Sequence, residues 1–145
     1  MGPVAVELCC LFDLISRAPL RFVYGKVFTS EHKLIRKLIQ HLKKGDLLLL
    51  DLGFYYCASF AKILLRYAHF IIPAKTTTRP RVLRKLAEGD YLCEIKDSHD
   101  KKALTVRVVL FIETAFAGDV WSLLCWTLSC FPLQSWPVYI ICVGT

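Results

Sequence analysis

The spacing of hydrophobic residues changes several times along the first 113 residues, and each change marks a predicted element. Two apolar stretches, at residues 4–14 and 20–27, flank turn residues at 16–19, which predicts an antiparallel hairpin. Over residues 29–44, leucine and isoleucine recur at helical spacing, largely opposite lysine and arginine. That pattern predicts an amphipathic helix.

The next apolar run lies within residues 45–51, where four leucines in a row lead to Asp51. A short apolar run with glycine on both sides predicts a buried strand whose last residue is Asp51. An amphipathic helix over residues 55–68 and a strand over 69–75 follow, and Pro73 indicates an edge strand or a bulge. This order of elements predicts an α/β fold with a mixed sheet and a parallel crossover through the second helix.

Asp51 is the first candidate for a functional residue. Ligands of α/β sheets bind at the carboxyl ends of the strands, which is where the pattern places this carboxylate. Aspartate also accepts backbone N–H hydrogen bonds at the start of a helix, so Asp51 equally suits a capping role. The residues alone leave both interpretations open.

A β-rich segment follows, with three predicted strands at residues 82–86, 91–96 and 104–112. Its turns and alternating pattern predict a small β-meander. Arg79, Arg81 and Arg84 lie beside three threonines at its start. Guanidinium and hydroxyl groups suit phosphate oxygens, although a solvated loop would have the same composition.

Composition narrows the class of protein. The chain has 145 residues, of which 55% are hydrophobic, enough for one core. Its 19 lysines and arginines against 12 acidic residues give a net charge of +7, which favours an anionic partner. Asp119 is the one charged residue after position 113. The seven cysteines include no C-x-x-C pair, which indicates reduced thiols in the cytoplasm.

Four segments occur in an order that resembles a known family: S-E-H-x-L at 30–34, G-D-L-L-L-x-D-x-G-F-Y at 45–55, H-F-I-I-P-A-K at 69–75 and E-G-D-Y-L-C-E-I at 88–95. Together they resemble bacterial insertion-sequence transposases, specifically the DDE group named after insertion sequence four, over about residues 4–112. The resemblance implies a partial ribonuclease-H-like core at 1–75 and a β-rich insert at 76–113. In that family three carboxylates hold two divalent metals, usually Mg²⁺, for attack on DNA phosphodiesters.

Asp51 matches the second of those carboxylates. The first belongs on a strand preceding residue 4, for which Asp13 lies too late, and Glu113 lies too early for the third. A Tyr-x-x-Arg-Trp stretch expected before the third carboxylate is absent. We therefore expect a fragment that is inactive alone, with Asp51 as its catalytic and metal-binding residue.

The resemblance also implies partners and a location. We expect binding to the DNA ends of a mobile element, a homodimer, and a cytoplasmic, nucleoid-associated protein. The residues expected to contact the DNA backbone are Lys75, Arg79, Arg81 and Lys96.

The apolar tail, residues 114–145, has two interpretations. Back-translated with permitted codons and read two nucleotides further on, it yields a string resembling the missing Tyr-x-x-Arg-Trp segment, which indicates a frameshift. Alternatively, the uncharged stretch 120–143 is long enough to cross a bilayer, although Pro132 and Pro137 disfavour a helix there. That alternative predicts a small membrane-anchored or interaction protein.

Overall fold

A computed structural model describes residues 6–26, 28–74, 79–96, 103–112, 120–125 and 138–144. The strands in these ranges are β1 (Val6–Asp13), β2 (Ala18–Lys26), β3 (Leu47–Leu49), β4 (His69–Pro73), β5 (Arg81–Ala87), β6 (Asp90–Lys96), β7 (Ala103–Ile112), β8 (Val120–Cys125) and β9 (Val138–Gly144). The α-helices are α1 (Glu31–Ile39) and α2 (Cys57–Leu65).

All these strands form one sheet with the order β2-β1-β9-β3-β4-β8-β7-β6-β5. Strands β9, β3 and β4 are parallel to one another, and every other neighbouring pair is antiparallel. The predicted mixed α/β class is therefore confirmed, as are the β1–β2 hairpin, the β3–α2–β4 parallel crossover and the β5–β6–β7 meander.

The two helices build the core against one face of the sheet. The ring of Phe60 in α2 stacks on that of Phe70 in β4, with centroids 4.5 Å apart, and both side chains are fully buried. Helix α1 contributes Leu34, Ile35 and Leu38, because its apolar residues share one face. Alternate strand positions complete the core with Cys9, Leu11, Leu48, Ile72, Cys93, Ile95, Val106, Val108 and Ile141.

Helix α1 ends at Ile39, five residues before the predicted end at residue 44. The carboxylate of Asp46 accepts a hydrogen bond from the backbone N–H of Lys43 at 2.7 Å, and Gly45 has a φ of +86°. A left-handed residue and a side-chain acceptor stabilise a turn that a helix would not permit. Local polar groups therefore end the helix although the hydrophobic spacing extends to Leu42.

Strand β4 corrects a second prediction. Because β4 pairs with β3 on one side and β8 on the other, it is not an edge strand, and its pairing contains no bulge. Pro73 is the last residue of β4, and the pairing with β3 ends two residues earlier at Ile71. The missing N–H of proline therefore interrupts no hydrogen bond to β3.

Two segments of the apolar tail are strands, which the sequence did not predict. Strand β8 pairs with β4 and β7, so it joins the meander to the other strands. Strand β9 lies between β1 and β3, as an interior strand of the sheet. Within the described part of the chain, no helix is both long and apolar enough to cross a lipid bilayer.

Candidate functional site

Asp51 lies two residues beyond β3, at the carboxyl end of the parallel strands, and is exposed. Its backbone is extended, with φ −73° and ψ 157°, and its Oδ1 accepts a hydrogen bond from the N–H of Gly53 at 3.1 Å. Asp51 thereby begins a 3-10 turn over Leu52–Phe54. The structure thus shows the capping interaction, and the role of Asp51 as a metal ligand stays a prediction.

A second carboxylate lies beside the same turn. A Cβ atom added to Gly53 would lie 3.5 Å from Oε2 of Glu31, so the Glu31 side chain reaches the turn from the first residue of α1. Two exposed carboxylates therefore flank Gly53, one from each of the segments S-E-H-x-L and D-x-G-F-Y. Glu31 and Asp51 are twenty positions apart in the sequence, which hides this proximity, and Glu31 has the pattern of an ordinary first-turn residue.

Tyr56, the residue that follows D-x-G-F-Y, also contacts the start of α1. The centroids of the Tyr56 and His32 rings are 4.7 Å apart, and the guanidinium carbon of Arg36 lies 5.8 Å from the centroid of the Tyr56 ring. Arg36 and His32 are half-buried, and their Nε and Nδ1 atoms have no hydrogen-bond partner among the described residues. Aromatic and cation–π contacts hold these polar side chains against Tyr56, the residue that precedes α2. The start of α1 and the segment after β3 therefore form one continuous surface, which we call the wall, made of Glu31, His32, Arg36, Asp51 and Tyr56.

This wall does not amount to a two-metal site. Among the residues that the structure describes, no three histidine, cysteine, aspartate or glutamate side chains are grouped so as to hold a metal ion. Mg²⁺ bound to DNA phosphates needs only one or two protein carboxylates, a number that Asp51 and Glu31 would supply. Two metals held for strand cleavage require a fuller carboxylate set. The described residues therefore fit a single Mg²⁺ contact at most.

Two of the predicted DNA-contacting residues lie together on the β5–β6 hairpin. Arg81 and Lys96 lie 3.1 and 3.5 Å from Oε1 of Glu94, and their side chains are 69% and 64% exposed. The hydrogen bond from Arg81 is the main reason that the pKa of Glu94 is lowered. Arg79 is also exposed, whereas Lys75 lies outside the described residues. The hairpin therefore presents basic groups to solvent, and the carboxylate of Glu94 offsets one of their positive charges.

The hairpin and Asp51 are far apart in the sheet. Strands β4, β8 and β7 separate β6 from β3, which is about 19 Å at the usual spacing of neighbouring strands. The structure therefore does not bring Arg81 and Lys96 to the Asp51 turn. A ligand that contacted both would have to extend across the sheet.

A cleft of about 360 Å³ lies at the opposite end of β3 and is lined by Leu11, Leu20, Arg21, His41, Lys43, Asp46 and Tyr139. Asp46 is almost fully buried, and burial raises the pKa of its carboxyl group. Burial and the charges of Asp46 and Asp13 raise the pKa of Tyr139 as well. No sequence motif marked this cleft, because its residues come from β1, β2, the loop after α1 and β9.

Comparison with known proteins supports a distant and partial relationship to transposases. Over 95 residues, or 64% of its length, the chain is 28% identical to the transposase InsG for insertion sequence element IS4 from Escherichia coli strain K12. The chain spans 22% of the length of that transposase. No protein-family model and no solved structure matches the chain.

Proposed function

We propose that this chain is part of a DDE transposase and that it binds DNA without cutting it. The observation that supports this most directly is the meeting of S-E-H-x-L and D-x-G-F-Y around Gly53. These segments belong to the family resemblance, and they place Glu31 and Asp51, twenty positions apart in the sequence, beside the same glycine. The similarity to the IS4 transposase makes DNA the substrate class to test first.

The position of β9 supports a partial ribonuclease-H-like core. The resemblance places the first carboxylate on a strand preceding β1, and a strand paired with β1 has to lie on the side away from β2. Strand β9 lies at that position, antiparallel to β1 and parallel to β3. Its sequence V-Y-I-I-C-V-G contains no carboxylate. In this proposal β9 fills the position of the first catalytic strand without supplying its catalytic residue.

Asp51 then acts as one metal ligand of an incomplete set, with Glu31 beside it. Asp51 and Glu31 would hold Mg²⁺ here, and the ion would supply positive charge for a DNA phosphate. Strand cleavage would require further carboxylates to stabilise the attacking and leaving oxygens. The chain alone is therefore proposed to bind DNA in the cytoplasm, at the nucleoid, without nuclease activity.

The β5–β6 hairpin supplies the main contacts to the DNA backbone in this proposal. Arg79, Arg81 and Lys96 are exposed, and the net charge of the chain is +7. Duplex DNA has one phosphate for about every 1.7 Å of its axis, so the 19 Å between this hairpin and β3 corresponds to roughly six base pairs. A short duplex could therefore contact the hairpin and the Asp51 turn together.

Binding is tested by fluorescence anisotropy with a mixed-sequence DNA duplex at several salt concentrations. The double variant Arg81→Ala/Lys96→Ala should bind more weakly, and the slope of log affinity against log salt should fall by about two, because each lost phosphate contact removes about 0.9. The matched control is Lys37→Ala/Arg66→Ala, which removes the same charges from exposed positions on α1 and just after α2. An equal decrease in both double variants would refute specific contacts by the hairpin.

The metal is tested separately. The unmodified chain should bind the duplex more tightly with Mg²⁺ than with EDTA, and Asp51→Asn should lose most of that difference. Supercoiled plasmid incubated with Mg²⁺ should remain uncut by both proteins. Nicking by the unmodified chain that Asp51→Asn abolishes would show a complete catalytic site and overturn the proposal of binding without cleavage.

A further inference from the structure

Strand β2 is the outermost strand on its side of the sheet among the described residues, and it presents aromatic rings to solvent. Val23 packs against the core, so its neighbours Phe22 and Tyr24 face the other way, with exposed fractions of 56% and 74%. Residues two apart on a strand are separated by about 7 Å. Two neighbouring rings are therefore available on the sheet face opposite the helices.

A third exposed ring lies just after β2. Phe28 is 93% exposed and has a φ of +67°, a conformation that bulky side chains rarely adopt. Its backbone N–H donates a hydrogen bond to Oε1 of Glu7 at 3.1 Å, which helps to hold this backbone in place. The structure thus keeps a fully exposed aromatic side chain at the end of the same strand, at a cost in backbone strain.

Every formal charge between Asp13 and Glu31 is positive. These charges belong to Arg17, Arg21 and Lys26, and all three side chains are exposed. A second copy of the chain docked on this edge would bring like charges together, which is unfavourable. A polyanion with apolar flat groups would satisfy both the basic residues and the rings.

We propose that Phe22, Tyr24 and Phe28 form a stacking surface for the bases of single-stranded DNA, with Arg17 and Lys26 beside the phosphates. Proteins that bind single strands combine basic residues with aromatic side chains on which successive bases stack. In a duplex the base faces are already stacked on one another, so this surface selects unpaired nucleotides. This inference deepens the proposed function, because it specifies a form of DNA that the chain binds and places that binding away from Asp51.

The test uses fluorescence anisotropy with labelled oligothymidylate of about 12 nucleotides, within the usual site size for single-strand binding, in buffer with EDTA. Phe22→Ala and Tyr24→Ala should each weaken binding about 5- to 150-fold, the usual effect of removing one stacked ring. Tyr67→Ala is the matched control, because Tyr67 is 72% exposed but lies after α2. Tyr24→Phe should retain affinity, and Tyr24→Leu, which is apolar but cannot stack, should lose it.

A second measurement does not depend on variants that fold. Oligonucleotides containing 5-iododeoxyuridine, irradiated with the unmodified chain, should crosslink to the peptide that contains Phe22 and Tyr24. No binding of oligothymidylate, crosslinks confined to other peptides, or Tyr24→Leu binding as tightly as the unmodified chain would each overturn the proposal. So would sedimentation showing that Tyr24→Ala abolishes a dimer without changing oligothymidylate binding.

The single-strand assay also separates this inference from the proposed function. Arg81→Ala/Lys96→Ala and Asp51→Asn should bind oligothymidylate like the unmodified chain while their duplex or Mg²⁺ response changes. If the duplex experiments fail and the oligothymidylate experiments succeed, single-strand binding stands without the transposase assignment. The reverse result would refute the stacking surface alone.

Discussion

The most informative substitution in the tail is Ile141→Ala, because it tests whether β9 belongs to the core. Ile141 is 3% exposed and lies opposite Leu11 in the antiparallel pairing of β9 with β1. Truncating a buried isoleucine to alanine removes about three methyl or methylene groups and usually costs about 2–5 kcal/mol. Against a total stability of about 7–20 kcal/mol for a chain of this length, that loss is large.

Urea denaturation measures this change. With a slope of about 2 kcal/mol per molar urea, the midpoint should fall by about 1–2.5 M. Far-UV circular dichroism follows the whole fold, whereas tryptophan fluorescence reports the tail, because Trp121, Trp126 and Trp136 all lie there. The two transitions should coincide if the tail strands unfold together with the rest of the sheet.

The control for Ile141→Ala is Ile15→Ala, because Ile15 is 69% exposed in the β1–β2 turn. Truncating an exposed side chain should change the free energy of unfolding by less than about 0.5 kcal/mol. Equal midpoints for the two variants would show that β9 does not pack in the core. A fluorescence transition at lower urea than the circular dichroism transition would show that the tail unfolds separately.

Further predictions concern pH and the aromatic core. Burial raises the pKa of Asp46 in the folded chain. Ionisation of this carboxyl group therefore lowers the free energy of unfolding as pH rises above the pKa of an aspartate in the unfolded chain. Asp46→Asn should be as stable as the unmodified chain in acid and more stable at pH 7. Arg81 lowers the pKa of Glu94, so Glu94→Gln should be less stable at pH 7, and the difference should vanish as pH falls through the lowered pKa. Urea midpoints measured between acid and neutral pH check both signs. Phe60→Ala should cost about 3–5 kcal/mol and Phe60→Leu markedly less, since leucine retains much of the buried volume against Phe70; equal thermal shifts would contradict this packing.

Much of the fold within the first 113 residues could be predicted because its signals are local. The helical spacing of Leu34, Ile35 and Leu38 and the run of leucines before Asp51 each identify an element without knowledge of its neighbours. The ends of the elements are harder to predict. The turn after α1 is stabilised by a hydrogen bond to Asp46, and the spacing of hydrophobic residues gives no sign of that bond. The location of Asp51 at the carboxyl end of β3 follows from the same local pattern.

The tail strands and the proximity of Glu31 to the Asp51 turn could not be predicted, because they depend on contacts between distant residues. Residues 120–125 and 138–144 are apolar without clear alternation, so the pattern fits a strand, a membrane span or an unfolded segment equally. Glu31 reaches Gly53 only after α1 and the 3-10 turn pack together. The frameshift interpretation of the tail stays a prediction, which sequencing of the gene and its flanks would test.

The interior position of β9 in the sheet has a consequence for how the protein folds during synthesis. Among the described strands, β9 is the one that links the β1–β2 hairpin to β3 in the sheet, although β9 follows β3 by about ninety residues. Strands β1, β2, β3 and β4 emerge from the ribosome well before β9. During most of synthesis, the edges of β1 and β3 that pair with β9 therefore have no partner strand. Contacts between such distant segments also slow folding, because the intervening loop must close first. We therefore expect the newly made chain to depend on chaperones until residues 138–144 have been translated.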